Sequence, residues 1–164
     1  MPNFFTFMNI KLLVIGKTDK DFVQKGYDEY FKRIKRYCKF DFQVIKDIKN
    51  SKNLSTDQQN KLEGEKILSE ISPSDHVVLL DENGKEFNSR GFASFLNKSL
   101  VSGMKNLIFV IGGPYGFSEE VYKRANIKVS LSKMTFSHQL IRLIFAEQLY
   151  RAFSILNNEP YHHD

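Results

Sequence analysis

The stretch FVIGGPYGFSEEV, residues 109–121, runs from apolar residues through a glycine-rich break to a serine and two acids. Its apolar part has the length of a buried strand. Ser118 suits a helix N-cap, and Glu119 and Glu120 suit a first helical turn, where carboxylates complement the helix dipole. Strand, glycine turn and helix in succession point to an α/β protein, and the flanking sequence repeats the alternation. Strands are predicted over residues 9–15, 40–46, 75–81, 106–111 and 127–131. Helices are predicted over 18–38, 57–71, 89–101, 118–125 and 137–156. In the first helix Thr18 is the expected cap, and Phe22 or Val23, Tyr27, Tyr30, Ile34 and Tyr37 recur at helical steps; in the second, Leu62, Ile67, Leu68 and Ile71 are expected inward. Such alternation implies an open, mostly parallel sheet with flanking helices.

A chain of 164 residues with 41% apolar content suits one domain with a single core. Cys38 is the only cysteine, which excludes an internal disulfide and a cysteine-cluster metal site and suits the cytoplasm. The Phe-rich start lacks the basic region and cleavage site of a signal peptide, and no run approaches the roughly 20 apolar residues of a membrane span. Net charge of +5 leans toward an anionic partner, nucleic acid among them.

Ligands of such sheets bind beyond the carboxyl ends of the strands. Three ends stand out: Leu80 with the following DENG, the glycines Gly112, Gly113 and Gly116, and the break Leu131, Ser132, Lys133, Met134, Thr135, Phe136. Together they suit one pocket, although GGPYG reads equally as a plain turn. Glycine there allows close backbone approach, while Glu119 and Glu120 argue against a phosphate at the next helix. Known nucleotide and metal signatures fail on spacing. Gly16-Lys17-Thr18 lacks the first glycine of a phosphate loop, the glycines 112, 113 and 116 do not fit the dinucleotide pattern, and DENG lacks a calcium-loop glycine, leaving it as a turn.

His138 and Arg142 lie four apart and share one face of the last helix. A histidine near a helix start is often structural, and its pairing with Arg142 beside the 131–136 break is what raises a catalytic reading. The same helix is apolar over a wide arc, so it is either central to the core or shared with a second subunit. The tail over residues 159–164, with Tyr161 and His162, is disordered, a tag remnant, or closed over a substrate.

The motifs IGGPYG, LSKMTFSHQLIR, AEQLYRAF and the ending PYH, with MNIKLLVIGK at the start, closely resemble the RlmH family of ribosomal RNA methyltransferases from Met8 to the end. The resemblance implies a SPOUT-superfamily α/β fold whose C-terminal part forms a trefoil knot, a feature no periodicity could reveal. It implies a homodimer that takes S-adenosylmethionine, without a metal, and methylates N3 of a pseudouridine in large-subunit ribosomal RNA of assembled ribosomes. It assigns cofactor contacts to Leu80, Gly112 and the 131–136 loop, and adenine to backbone and apolar groups. Ser137 stands where many members have proline, and both residues start helices.

Methyl transfer from a sulfonium needs alignment, and an imide nitrogen must lose its proton before it attacks. Arg142 suits stabilisation of the resulting anion, His138 acceptance of the proton or orientation of the base, and Tyr161 and His162 stacking on or contact with RNA, with the tail of one subunit completing the site of the other. Lys32, Arg33, Lys35, Arg36 and Lys39 form either a phosphate track or a solvated face. Two rival classes are a non-catalytic RNA-binding factor and a flavodoxin-like nucleotide binder. Residues 1–7 exceed the usual start of the family. A chain beginning at Met8 is expected to match the full chain in melting temperature and in methyl transfer, measured side by side.

Overall fold

A computed structural model describes residues 7–164, so most of the 1–7 extension lies outside the described residues. Among the described residues, five strands and five α-helices alternate. They are β1 (Asn9–Ile15), α1 (Asp21–Ile34), β2 (Lys39–Ile45), α2 (Thr56–Ser69), β3 (His76–Glu86), α3 (Ser89–Val101), β4 (Asn106–Ile111), α4 (Glu119–Arg124), β5 (Ile127–Ser130) and α5 (Leu140–Leu156). The strands form one sheet in the order β2-β1-β4-β3-β5, and every pairing is parallel. β4 and β1 are both interior strands, which is why their sequences are apolar on both faces.

Alternation along each strand divides the interior into two layers. Ile10, Leu12 and Val14 of β1, with Leu107, Phe109 and Ile111 of β4, pack against α1, α3 and α5. Leu13 and Ile15, with Ile108 and Val110, point the other way toward Ile67 of α2 and Val121 of α4. Phe109 joins the first layer, its ring 4.8 Å from Phe145 of α5 and 6.1 Å from Phe92 of α3. α5 is thus central to the core of its own chain, with Phe145, Ala146, Leu149, Ala152 and Phe153 buried. Cys38 is buried in the same layer, and burial pushes its thiol up to about 12, so it stays protonated and inert at neutral pH.

Several boundaries differ from the sequence reading for identifiable reasons. α1 begins at Asp21 after Lys20, whose side chain makes no capping bond. Thr18 does not cap the helix; its Oγ1 accepts from the Tyr27 hydroxyl at 2.8 Å and from Arg142 Nη1 at 2.9 Å. Val23, Tyr27, Phe31 and Ile34 form the buried stripe, and Phe22 lies in solvent. On α2 the inward face carries Glu63, Gly64 and Ile67, while Leu62 is exposed. Gly64 allows this, because a Cβ there would collide with the Ser118 side chain at the start of α4.

DENG does not end β3. Asp81 Oδ1 accepts from Asn83 N at 2.8 Å and makes a local turn, but the chain returns to pair with β5, so Leu80 and Lys85 both face Val129. Gly84 passes so close to β5 that a Cβ would fall 2.6 Å from Val129 N. The residues therefore form a bulge within a strand. Ser137 keeps a capping role although α5 begins formally at Leu140, since its Oγ accepts from Leu140 N at 3.1 Å and its carbonyl from Ile141 N at 3.0 Å.

Phe109 is fully buried between two helices. Phe109→Ala should lower unfolding stability by about 3–5 kcal/mol in a urea titration, through lost burial and the cavity it leaves.

Candidate active site

The bulge of β3 and the ends of β4 and β5 meet around one cavity of about 480 Å³, lined by residues 80–83, 111–117, 130–132 and 134–136, together with Tyr122, His138 and Ile141. That volume lies in the range of small-molecule and cofactor sites. Each loop is held by its own chemistry. In the glycine loop, Gly116 takes the left-handed φ of +80° that glycine tolerates, and its N–H donates to Gly113 O at 3.2 Å. Gly112 has no room for a side chain, since a Cβ would lie 3.0 Å from Gly116 O. Ser118 then caps α4 as expected, accepting from Val121 N at 3.3 Å. In the 130–136 loop, Ser130 Oγ donates to Ser132 O at 2.8 Å and Ser132 Oγ accepts from Met134 N at 2.9 Å.

Side chains bridge the loops to one another. Tyr122 OH donates to Asp81 Oδ2 at 2.5 Å, and Thr135 Oγ1 donates to Glu82 Oε2 at 2.9 Å. Burial, with Asp81 beside it, pushes the Tyr122 phenol up to about 12, so it keeps the proton it donates. Asp81 and Glu82 put two carboxylates on the wall, while no lysine or arginine lines the cavity. Among the sequence-selected residues, Leu80, Gly112, Gly113, Gly116, Leu131, Ser132, Met134, Thr135, Phe136 and His138 line it together. Lys133 turns away toward Glu86, with its Nζ 3.9 Å from Oε1.

Arg142 is 1% exposed and does not line the cavity. Its Nη2 donates to Ile15 O at 2.8 Å, Nη1 to Thr18 Oγ1 at 2.9 Å and Nε to His138 O at 3.2 Å. Burial lowers its pKa from the usual arginine value, with Tyr27, Asp47 and Asp19 acting in the opposite sense. The guanidinium joins the end of β1 to the turn carrying His138, and so acts on the site through the backbone.

Tyr161 and His162 follow α5 and fold back against its later part. Tyr161 OH donates to Glu147 Oε1 at 3.0 Å, and its ring packs edge-on to Tyr150 and under Arg151. His162 Nδ1 lies 3.1 Å from Arg151 Nη1; because guanidinium only donates, Nδ1 is the acceptor and Nε2 carries the proton toward Asp164. Glu147 and Arg151 are roughly 10–16 Å along the helix from its start beside His138, at about 1.5 Å per residue. Within one chain the tail is therefore separate from the cavity. The sequence reading overlooked Tyr122, whose spacing carries no signal, and Glu63, which lies behind the glycine loop.

A family model described as "Predicted SPOUT methyltransferase" matches residues 8–162. The chain belongs to the SPOUT methyltransferase family. Within it, the chain is an RlmH family member: it is 62% identical over 156 residues to the ribosomal RNA large subunit methyltransferase H of Flavobacterium johnsoniae, covering 95% of this chain and 99% of that protein. To the protein of the same name from Parabacteroides distasonis it is 59% identical over 157 residues, covering 96% and 100%. A solved structure of a probable methylase family protein from Haemophilus influenzae aligns with a TM-score of 0.54 at 14% identity, over 96% of this chain and 72% of that one, which shows a shared fold. In this SPOUT methyltransferase the cavity walls are the three strand-end loops that its sequence singled out.

Arg142→Met removes the donor to Ile15 O and Thr18 Oγ1 inside the protein. A loss of about 2–4 kcal/mol in urea unfolding is expected, since buried acceptors are left unpaired. A stability within error of wild type would contradict the tethering role.

Proposed function

We propose that this enzyme transfers a methyl group from S-adenosylmethionine to N3 of a pseudouridine in large-subunit ribosomal RNA, acting in the cytoplasm as a homodimer on the assembled ribosome. The observation that carries the cofactor reading is the cavity wall, which combines a glycine cradle and two carboxylates with no lysine or arginine. A phosphate-bearing nucleotide such as a flavin mononucleotide needs cations or a free helix N-terminus, and α4 opens on Glu119 and Glu120. A nucleoside carrying positive charge fits this wall. The relatives named ribosomal RNA large subunit methyltransferase H support the RNA substrate.

S-adenosylmethionine supplies a sulfonium methyl group for in-line displacement. The residues of the chain arrange the rest. Leu80, Leu131, Met134 and Phe136 provide apolar contact for the adenine, and the glycine loop brings backbone against the ligand. Half-buried His138, on the wall, accepts the proton that N3 must lose or orients the base. Arg142 is a positioning residue, which fixes the turn bearing His138. Tyr161 and His162 sit too far from the cavity of their own chain, so they serve the RNA at the site of a second copy. Exposed Lys32, Lys35, Arg36 and Lys39 track phosphates, whereas Arg33 is already paired with Glu29 at 2.6 Å and stacked on Tyr30 and Tyr150. The reading includes one methyltransferase domain over the chain, dispensable residues 1–7, and a C-terminal trefoil knot. No helix among the described residues is long and apolar enough to cross a membrane.

The test is transfer of labelled methyl from S-adenosylmethionine to ribosomes from cells lacking the modification, with free ribosomal RNA alongside. Label should appear on a pseudouridine of the intact ribosomes and not on free RNA. His138→Ala should reduce the rate by about 10²–10⁴-fold, the usual range for a proton-transfer residue, with cofactor binding unchanged by calorimetry. Cofactor binding without transfer to either substrate would overturn the RNA assignment.

A further inference from the structure

Behind the glycine loop, α2 presents two side chains with unmatched acceptors. Asn60 Nδ2 donates to Tyr115 O at 3.0 Å, and Glu63 Oε1 accepts from Gln59 Nε2 at 3.1 Å. Asn60 Oδ1 and Glu63 Oε2 are buried without a hydrogen-bond partner among the described residues. Glu63 is only 4% exposed. Its carboxylate occupies the side-chain space of Gly113, where a Cβ would fall 2.8 and 2.9 Å from the two oxygens. Gly113 itself lines the cavity, so no side chain of that residue stands between the carboxylate and the wall. A buried carboxylate with an open oxygen is costly unless positive charge offsets it.

We propose that Glu63 makes the cavity select the cationic methyl donor over its neutral demethylated product. This rests on the cofactor reading above. S-adenosylmethionine and S-adenosylhomocysteine share most of their shape and differ by a methyl group and the sulfonium charge. Charge therefore provides a strong handle for discrimination, and it acts most strongly from a site that water does not screen. Asp81 already uses both oxygens, on Asn83 and Tyr122, and Glu82, one of whose oxygens takes Thr135, is exposed on the open wall, where water screens its charge. Glu63 is buried and retains an open oxygen.

A proton linkage follows. Burial holds the Glu63 carboxyl above its ordinary range; Gln59, His138 and Lys66 act to lower it, and Asp47 to raise it. Those four groups face it from α2, the segment after β2 and the turn before α5. A cation in the cavity favours ionised Glu63, so donor binding releases the carboxyl proton to solvent wherever that proton was present. Lowering the pH restores the proton and weakens binding of the donor. The neutral thioether of the product exerts no such pull.

Calorimetric titration of both ligands into wild type and Glu63→Gln, from neutral pH down toward the ordinary glutamate value of roughly 4.3, tests this. The variant keeps the shape and the acceptor for Gln59. At neutral pH it should bind the donor about tenfold more weakly and the product within about twofold of wild type. Wild-type affinity for the donor should fall toward the acid end more steeply than that for the product, and Glu63→Gln should remove this difference. A purely structural role predicts equal effects on both ligands, and that result, or no effect on either, would overturn the proposal. Should the variant not fold, parallel wild-type pH curves for the two ligands would overturn it equally well. Wild type that binds neither ligand would instead overturn the cofactor reading, and this inference with it.

Discussion

A buried guanidinium whose hydrogen bonds go to neutral oxygens ties the start of the last helix to the end of the first strand. Arg142 spends its donors on Ile15 O, Thr18 Oγ1 and His138 O. Neighbouring Gln139 adds two bonds to the same segment, donating to Lys17 O at 3.1 Å and accepting from Asp19 N at 2.9 Å. Removing a charge from water is expensive, and here several neutral acceptors and the electrostatic influence of Tyr27, Asp47 and Asp19 offset that cost. What the arrangement gains is position. The 130–136 loop must close between β5 and this fixed point, which sets its curvature over the cavity and puts His138 on the wall.

The opposite wall depends on a contact of another kind. Gly64 lets α2 approach the start of α4, and Gly113 lets the Glu63 carboxylate lie against the glycine loop. Asn60 holds the tip of that loop through Tyr115 O. The loop is thus shaped from behind by a helix on the second sheet face, while its front forms the cavity. One glycine turn connects the packing of α2 with the chemistry at the strand ends.

Much of this was legible because it is local. The strands over 9–15 and 106–111 and the helix over 89–101 agree with the structure at both ends, since an apolar run between breaking residues marks a buried strand; in the structure Asn88 caps that helix, accepting from Gly91 N at 2.7 Å. The three strand ends were marked by glycines and by a polar break, so most of the cavity lining was named before its geometry was known. DENG misled because turn chemistry is real there but the strand resumes beyond it. Thr18 misled because its hydroxyl serves a side chain more than 120 positions away, an offset of 124. Leu62 misled because helical periodicity cannot tell that a glycine and a glutamate take the inner face.

By itself the sequence determined the alternating α/β class, the strands and helices, the loops at the strand ends and, through its motifs, the family. Those properties rest on nearest neighbours and short periods along the chain. Only the tertiary structure decided the strand order, the retreat of Arg142 from the cavity, the distance of Tyr161 and His162 from it within one chain, and the burial of Glu63 against Gly113. Each of these depends on contacts between residues far apart in the chain, which packing in three dimensions selects and no local pattern records.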